Sequence, residues 1–88
     1  MEFIRISAVW CSSCIITYKE WNKLKTNYPD YDYTEYDYDM DIDVVENYNI
    51  GKIIPVVIAL RDGQEVGRIV GEKSYQELDT WLKEVVNI

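Results

Sequence analysis

The sequence contains no histidine, two cysteines, two prolines, four glycines and one phenylalanine in 88 residues. Without an imidazole there is no histidine general base and no histidine-containing metal site. A closed zinc site takes about four Cys or His ligands, and one chain offers two. A structural disulfide framework would need more cysteines, spaced further apart. Basic residues are also scarce: Lys plus Arg number 9 against 16 Asp plus Glu, a net charge of −7. That balance argues against a phosphate-tracking nucleic-acid binder, which needs a basic face. It argues equally against docking on an anionic membrane surface. No apolar run approaches the roughly 18–20 residues of a membrane span. Met1-Glu2-Phe3-Ile4-Arg5 lacks the basic segment and apolar run of a signal peptide, so a cytoplasmic setting is expected.

The length fits a single domain, 1–88, since domains run about 50–200 residues. A chain this short buries only about 60–65% of its unfolded surface, so the core must be compact. The 3 Trp and 8 Tyr are its expected bulk. No repeat, low-complexity linker or second domain is evident.

Residues 3–9 are β-rich and read as a strand, with Ile4 and Ile6 on one face. Residues 12–27 read as one helix. Cys14, Tyr18, Trp21 and Tyr28 recur along it, and Pro29 marks its end. Tyr and Asp alternate from Tyr31, which predicts a strand at about 32–37. The acidic run to Asp43 suggests a metal site, but the calcium-loop glycine is missing. Protection of a sheet edge is the better reading. A short helix over 43–49 follows, with Asp43 as its N-cap and Val44, Val45 and Tyr48 inward. Val56–Leu60 reads as a buried strand and Asp62-Gly63 as the centre of a hairpin to Glu65–Val70. Ser74 with Glu77 fits a capping box ahead of the amphipathic run Leu78, Trp81, Leu82, Val85. The order is β-α-β-α-β-β-α, an α/β domain with a mixed sheet and packed helices.

One motif carries chemistry: Cys11-Ser12-Ser13-Cys14, directly after a strand and opening a helix. At a helix start, unpaired N–H groups and the positive end of the dipole favour a thiolate at Cys11. That thiolate is the nucleophile of disulfide exchange. Cys14, one turn later, would lie beneath it and could attack a mixed disulfide formed at Cys11. The spacing alone also fits half of a metal site shared by two chains, or two inert core thiols. The strand–motif–helix context favours redox exchange.

With these motifs in order, the chain resembles a small thioredoxin. Trp10-Cys11-Ser12-Ser13-Cys14 is similar to the family's W-C-G-P-C, and Ile54-Pro55 to the I-P whose proline is cis. Arg61-Asp62-Gly63-Gln64-Glu65-Val66 resembles the K-N-G-E-x-V-like turn, and Val70-Gly71 the V-G before the last helix. The family's extra N-terminal strand and helix are lacking, so the length is that of a glutaredoxin. The glutaredoxin motifs (C-P-Y-C, T-V-P and a late G-G) match less well, and no convincing glutathione site is seen.

The resemblance implies a thioredoxin-like fold with a four-stranded sheet ordered β2-β1-β3-β4, residues 32–37 on an open edge, and helices on both faces. It implies a dithiol–disulfide oxidoreductase with Cys11 attacking and Cys14 resolving. It places Pro55 in cis against the cysteines, Ile54 as a backbone partner for an extended substrate segment, and Trp10, Ile53 and Gly71 at the rim of the docking groove. Plainer alternatives are a core aromatic at Trp10 and a trans strand-entry proline at Pro55. Expected partners are disulfide-containing proteins and an NADPH-dependent flavoprotein disulfide reductase. No bound cofactor, metal, nucleic acid or membrane is expected, and the chain should act as a monomer. Alternatives are an interaction module serving one dedicated partner, or a glutathione-linked glutaredoxin.

Two departures stand out. Ser12-Ser13 replaces Gly-Pro, and two serines can cap the helix. The family's buried aspartate, six residues before the first cysteine, corresponds to Arg5, and its partner lysine to Glu35. Strand parity puts Arg5 opposite the Ile4 and Ile6 face. An Arg5–Glu35 ion pair beneath the active site is therefore expected, with Glu35 as a candidate proton relay to Cys14; the plainer alternative is a slipped alignment, or groups that simply reach water at the sheet rim.

Overall fold

The computed structural model describes residues 1–88. Its elements are β1 (Glu2–Ser7), α1 (Ser12–Ile16), α2 (Tyr18–Asn27), β2 (Asp32–Asp37), α3 (Ile42–Asn47), β3 (Val56–Arg61), β4 (Gln64–Val70) and α4 (Tyr75–Val85). The strands form one sheet ordered β2-β1-β3-β4, with β2 on an edge as expected. β1 runs parallel to β2 and antiparallel to β3, and β3 and β4 form the hairpin.

Alternation along β1 separates two cores. Ile4 and Ile6 point toward α3 and join Ala8, Cys11, Cys14, Ile54 and Val56. Phe3 points the other way and packs with Trp21 and Leu24 of α2, Val57 and Ala59 of β3, and Leu82 and Val85 of α4. Helices thus cover both faces, and the cysteines belong to the α3 side.

Local signals explain several boundaries. Asp62 and Gly63 both adopt positive φ (53° and 79°), the geometry of a two-residue hairpin turn. At α4, the Ser74 side chain accepts from the Glu77 N–H while the Glu77 carboxylate accepts from the Ser74 N–H, closing the capping box.

Four expectations need correction. The helix expected over 12–27 is two helices, interrupted at Thr17. The aromatic residues are not the bulk of the core. Phe3 and Trp21 are the only ones fully buried, while most tyrosines lie half-buried, with Tyr28, Tyr33 and Tyr38 donating their hydroxyls to polar partners. α3 starts at Ile42, with Asp41 rather than Asp43 at the cap position. Asp41 bonds back to the Asp37 N–H at 2.7 Å, and Asp37 accepts from the N–H groups of Asp39 and Met40, so these acids build the turn after β2. Finally, Ser12 and Ser13 do not cap α1; Cys11 does.

Candidate active site

The chain leaves β1 at Ser7, turns through Ala8–Trp10 and enters α1 at the cysteine motif. Cys11 occupies the N-cap with extended backbone, and its Sγ accepts from the Cys14 N–H at 3.2 Å. The sulfur thus takes the capping role of a serine oxygen and meets a free N–H of the helix start. The Cys11 thiol also points at the Ile54 carbonyl oxygen, 3.7 Å away. Both cysteines are free thiols, with 7% and 3% of their surfaces exposed for Cys11 and Cys14 respectively. Burial pushes the Cys14 thiol up to about 11, and its bond to Cys11 adds to the rise. A backbone bond from Ala8 and the nearby Arg5 charge pull it down.

The residues expected around the pair assemble there. Ile54–Pro55 is cis, and the Pro55 carbonyl accepts from the Gly71 N–H at 2.8 Å. Gly71 has a φ of 92°, a left-handed geometry that glycine adopts freely, and a Cβ on it would touch Ile53 Cγ2 at 3.6 Å. Ile54 is buried, whereas Trp10 and Ile53 are 60% and 64% exposed. Trp10 is therefore not a core residue. Its indole N–H donates to Asp39 Oδ2 at 2.6 Å and its ring meets Tyr38 edge-on at 6.2 Å, which holds it as a rim wall. Asp39 and Thr17 escaped the sequence reading. The alternating aspartates hid Asp39's partner, and nothing in a helical run marks Thr17.

Beneath the cysteines, Arg5 and Glu35 face each other at the same register of the β1–β2 ladder and form the expected ion pair. Only 3% of Arg5 is exposed. Its Nη2 donates to the Cys14 carbonyl at 2.6 Å and approaches Thr17 Oγ1 at 3.4 Å. Glu35 accepts from Arg5 and, at 3.2 Å, from the Ser7 hydroxyl. Arg5, not Glu35, is the charged group bonded to the Cys14 residue. An open cavity of about 480 Å³ lies alongside, lined by Arg5, Ser7, Cys14, Ile15, Glu35 and Asp37 among others.

The sequence profile of the thioredoxin family matches residues 2–84. The chain belongs to the thioredoxin family. Solved thioredoxin structures superimpose on nearly all of it. Mitochondrial thioredoxin 3 from Saccharomyces cerevisiae is 26% identical, with a TM-score of 0.85 over 94% of this chain and 76% of that one. A thioredoxin from Nicotiana alata is 28% identical, with a TM-score of 0.87 over 94% and 70%. Thioredoxin from Trypanosoma brucei brucei, at 21% identity, shares the fold with a TM-score of 0.88 over 99% and 75%. No curated protein sequence matched. As a member of the thioredoxin family that carries both motif cysteines, the protein is a thiol–disulfide oxidoreductase.

Proposed function

We propose that this thioredoxin reduces disulfides in protein substrates, with Cys11 as the attacking thiol and Cys14 as the resolving thiol. The observation that carries the reading is the difference between the two sulfurs. Cys11 Sγ caps the helix and is met by an N–H at 3.2 Å, while the Cys14 thiol is buried and pushed up to about 11. A thiolate forms more readily at the sulfur facing a hydrogen-bond donor than at one facing apolar neighbours. The extended substrate lies across the Ile54–Pro55 backbone, between Trp10, Ile53 and Gly71. Trp10 and Ile53 supply exposed apolar contact there, and the Ile54 carbonyl is already turned toward the reacting sulfur. An NADPH-dependent flavoprotein disulfide reductase returns the two electrons, and the protein works as a monomer in the cytoplasm.

Insulin reduction driven by dithiothreitol tests the reading. The wild type should precipitate the insulin B chain well above the uncatalysed rate. A protein with both thiols free that gives only the background rate would remove disulfide reduction from its function.

A further inference from the structure

Arg5 is the one buried charged side chain of the protein, and it lies under the cysteine turn. A guanidinium out of water is costly unless its donors are met. Three partners meet them here: Glu35, the Cys14 carbonyl at 2.6 Å and the Thr17 hydroxyl at 3.4 Å. Two of those partners explain the interrupted helix. A continuous helix would pair the Cys14 carbonyl with the Tyr18 N–H. The helix instead stops at Ile16, the Thr17 hydroxyl bonds the Ser13 carbonyl at 2.6 Å, and Arg5 serves the Cys14 carbonyl. The pair is also polarised. Arg5 sits against Cys14, and Glu35 sits outward with 34% of its side chain exposed.

We infer that Arg5 is a positioning residue for the resolving step: it holds Cys14 from beneath and favours the thiolate that Cys14 must form to attack, with Glu35 acting as the counter-ion that tempers this effect. In that step the Cys14 proton leaves to solvent through the adjoining cavity. The Cys14 thiolate attacks the Cys11 sulfur of the mixed disulfide. The Cys11–Cys14 bond forms, the bond from Cys11 to the substrate sulfur breaks, and the substrate sulfur departs as a thiolate carrying the electron pair. Arg5 bonds the backbone of the residue whose sulfur takes up this charge, and both line the same cavity. The direction agrees with the downward pull of Arg5 on a thiol that burial otherwise raises. Other titratable groups lie around the same site. Cys11 is on the same turn, Tyr18 of α2 lies under the guanidinium with its ring 5.7 Å from Cζ, and Lys73 shares a small pocket with Arg5. From β2 and the turn after it, Glu35, Tyr36, Asp37 and Asp41 line the cavity. The acids face the open cavity, whereas Arg5 alone among the charges bonds the Cys14 backbone.

The inference rests on Cys14 being the resolving thiol, and one experiment separates the two ideas. Reduced protein is mixed with dithiobis(nitrobenzoate) in a stopped-flow cell at a series of pH values. The first equivalent of thionitrobenzoate reports attack by Cys11, and the second reports resolution by Cys14. If the wild type shows no second phase, the roles under Proposed function fail. Given two phases, Arg5→Met should move the pH midpoint of the second upward by about one unit, slowing it about tenfold at neutral pH, with the first phase nearly unchanged. Arg5→Lys, which keeps the charge, should bring the midpoint back toward wild type. Glu35→Gln, which removes the counter-ion and leaves Arg5 in place, should move it downward. Glu35→Gln shifting it upward instead would make Glu35 the proton relay and overturn the inference. So would a Glu35→Gln midpoint equal to that of the wild type, or an Arg5→Met midpoint that does not rise.

Discussion

The β1–β2 ladder carries two chemistries along a few residues. At its lower end Phe3 stands beside Tyr33, the rings stacked with centroids 5.8 Å apart, and Tyr31 and Trp81 close on Phe3 edge-on. Two residues further up, the same face of the same strands presents Arg5 beside Glu35, and then Ser7 beside Asp37. Backbone pairing is equivalent at both ends, so the difference lies in the side chains alone. The lower end removes apolar surface from water and contributes stability through area and shape. The upper end places charges and hydroxyls under two thiols at a cost in desolvation. The domain is thus stabilised at one end of the sheet and reactive at the other.

The sharpest break of this contrast is at the reactive end. Cys11→Ser should abolish insulin reduction with little change in the unfolding midpoint. Cys14→Ser should accumulate mixed disulfides with substrates, visible on non-reducing gels. Next in size is the stabilising end. Phe3→Ala should cost about 3–5 kcal/mol in denaturant unfolding, as for other buried aromatic truncations. The rate of Cys11 alkylation by iodoacetamide, per folded molecule, should stay as in the wild type. A matching fall in alkylation would mean that the two ends are not separable. A smaller effect follows from Cys14. Its folded pKa is raised from 9.0 to about 11, so the neutral thiol is the form the fold favours. The contribution is present below about pH 9 and is lost as the pH rises through about 11. Stability of the reduced protein should therefore decline across that window, and Cys14→Ala should flatten the decline. The least effect is expected at the rim of β2. Asp32→Val should change stability by no more than about 0.5 kcal/mol, yet promote association at high concentration on a sizing column, because the edge loses a charge.

Much of this arrangement is legible before any coordinates. β2 follows from the alternation of aromatic and polar residues around Tyr31–Asp39, the hairpin from Asp62-Gly63 and the start of α4 from Ser74 and Glu77, all rules acting within a few residues. The Arg5–Glu35 pair follows from the resemblance to thioredoxins, whose aspartate and lysine positions these two residues take, with strand parity in support. The illegible parts depend on long-range partners. Thr17 has no glycine or proline beside it to signal a break; the break goes with a guanidinium arriving from β1. Trp10 takes its place from Asp39, in a turn built by neighbouring aspartates that periodicity renders as a uniform acidic run. Cys11 as its own helix cap is hidden for another reason: serine is the usual cap, and two serines follow it.

The interruption at Thr17 divides one helical axis into two mechanical bodies. A continuous helix passes a twist or a frayed end along its hydrogen-bond ladder, whereas here a five-residue turn anchored from the sheet joins the rod behind it through Thr17, with the Cys14 carbonyl taken by Arg5. Opening motions starting at Asn27 should therefore be damped before the cysteines. Hydrogen exchange should be faster at the amides near Asn27 than at those of Cys14 and Ile15. The exposed positions of α2 are accordingly where sequence drift, or a designed stabilising change, should leave the spacing of the two sulfurs untouched.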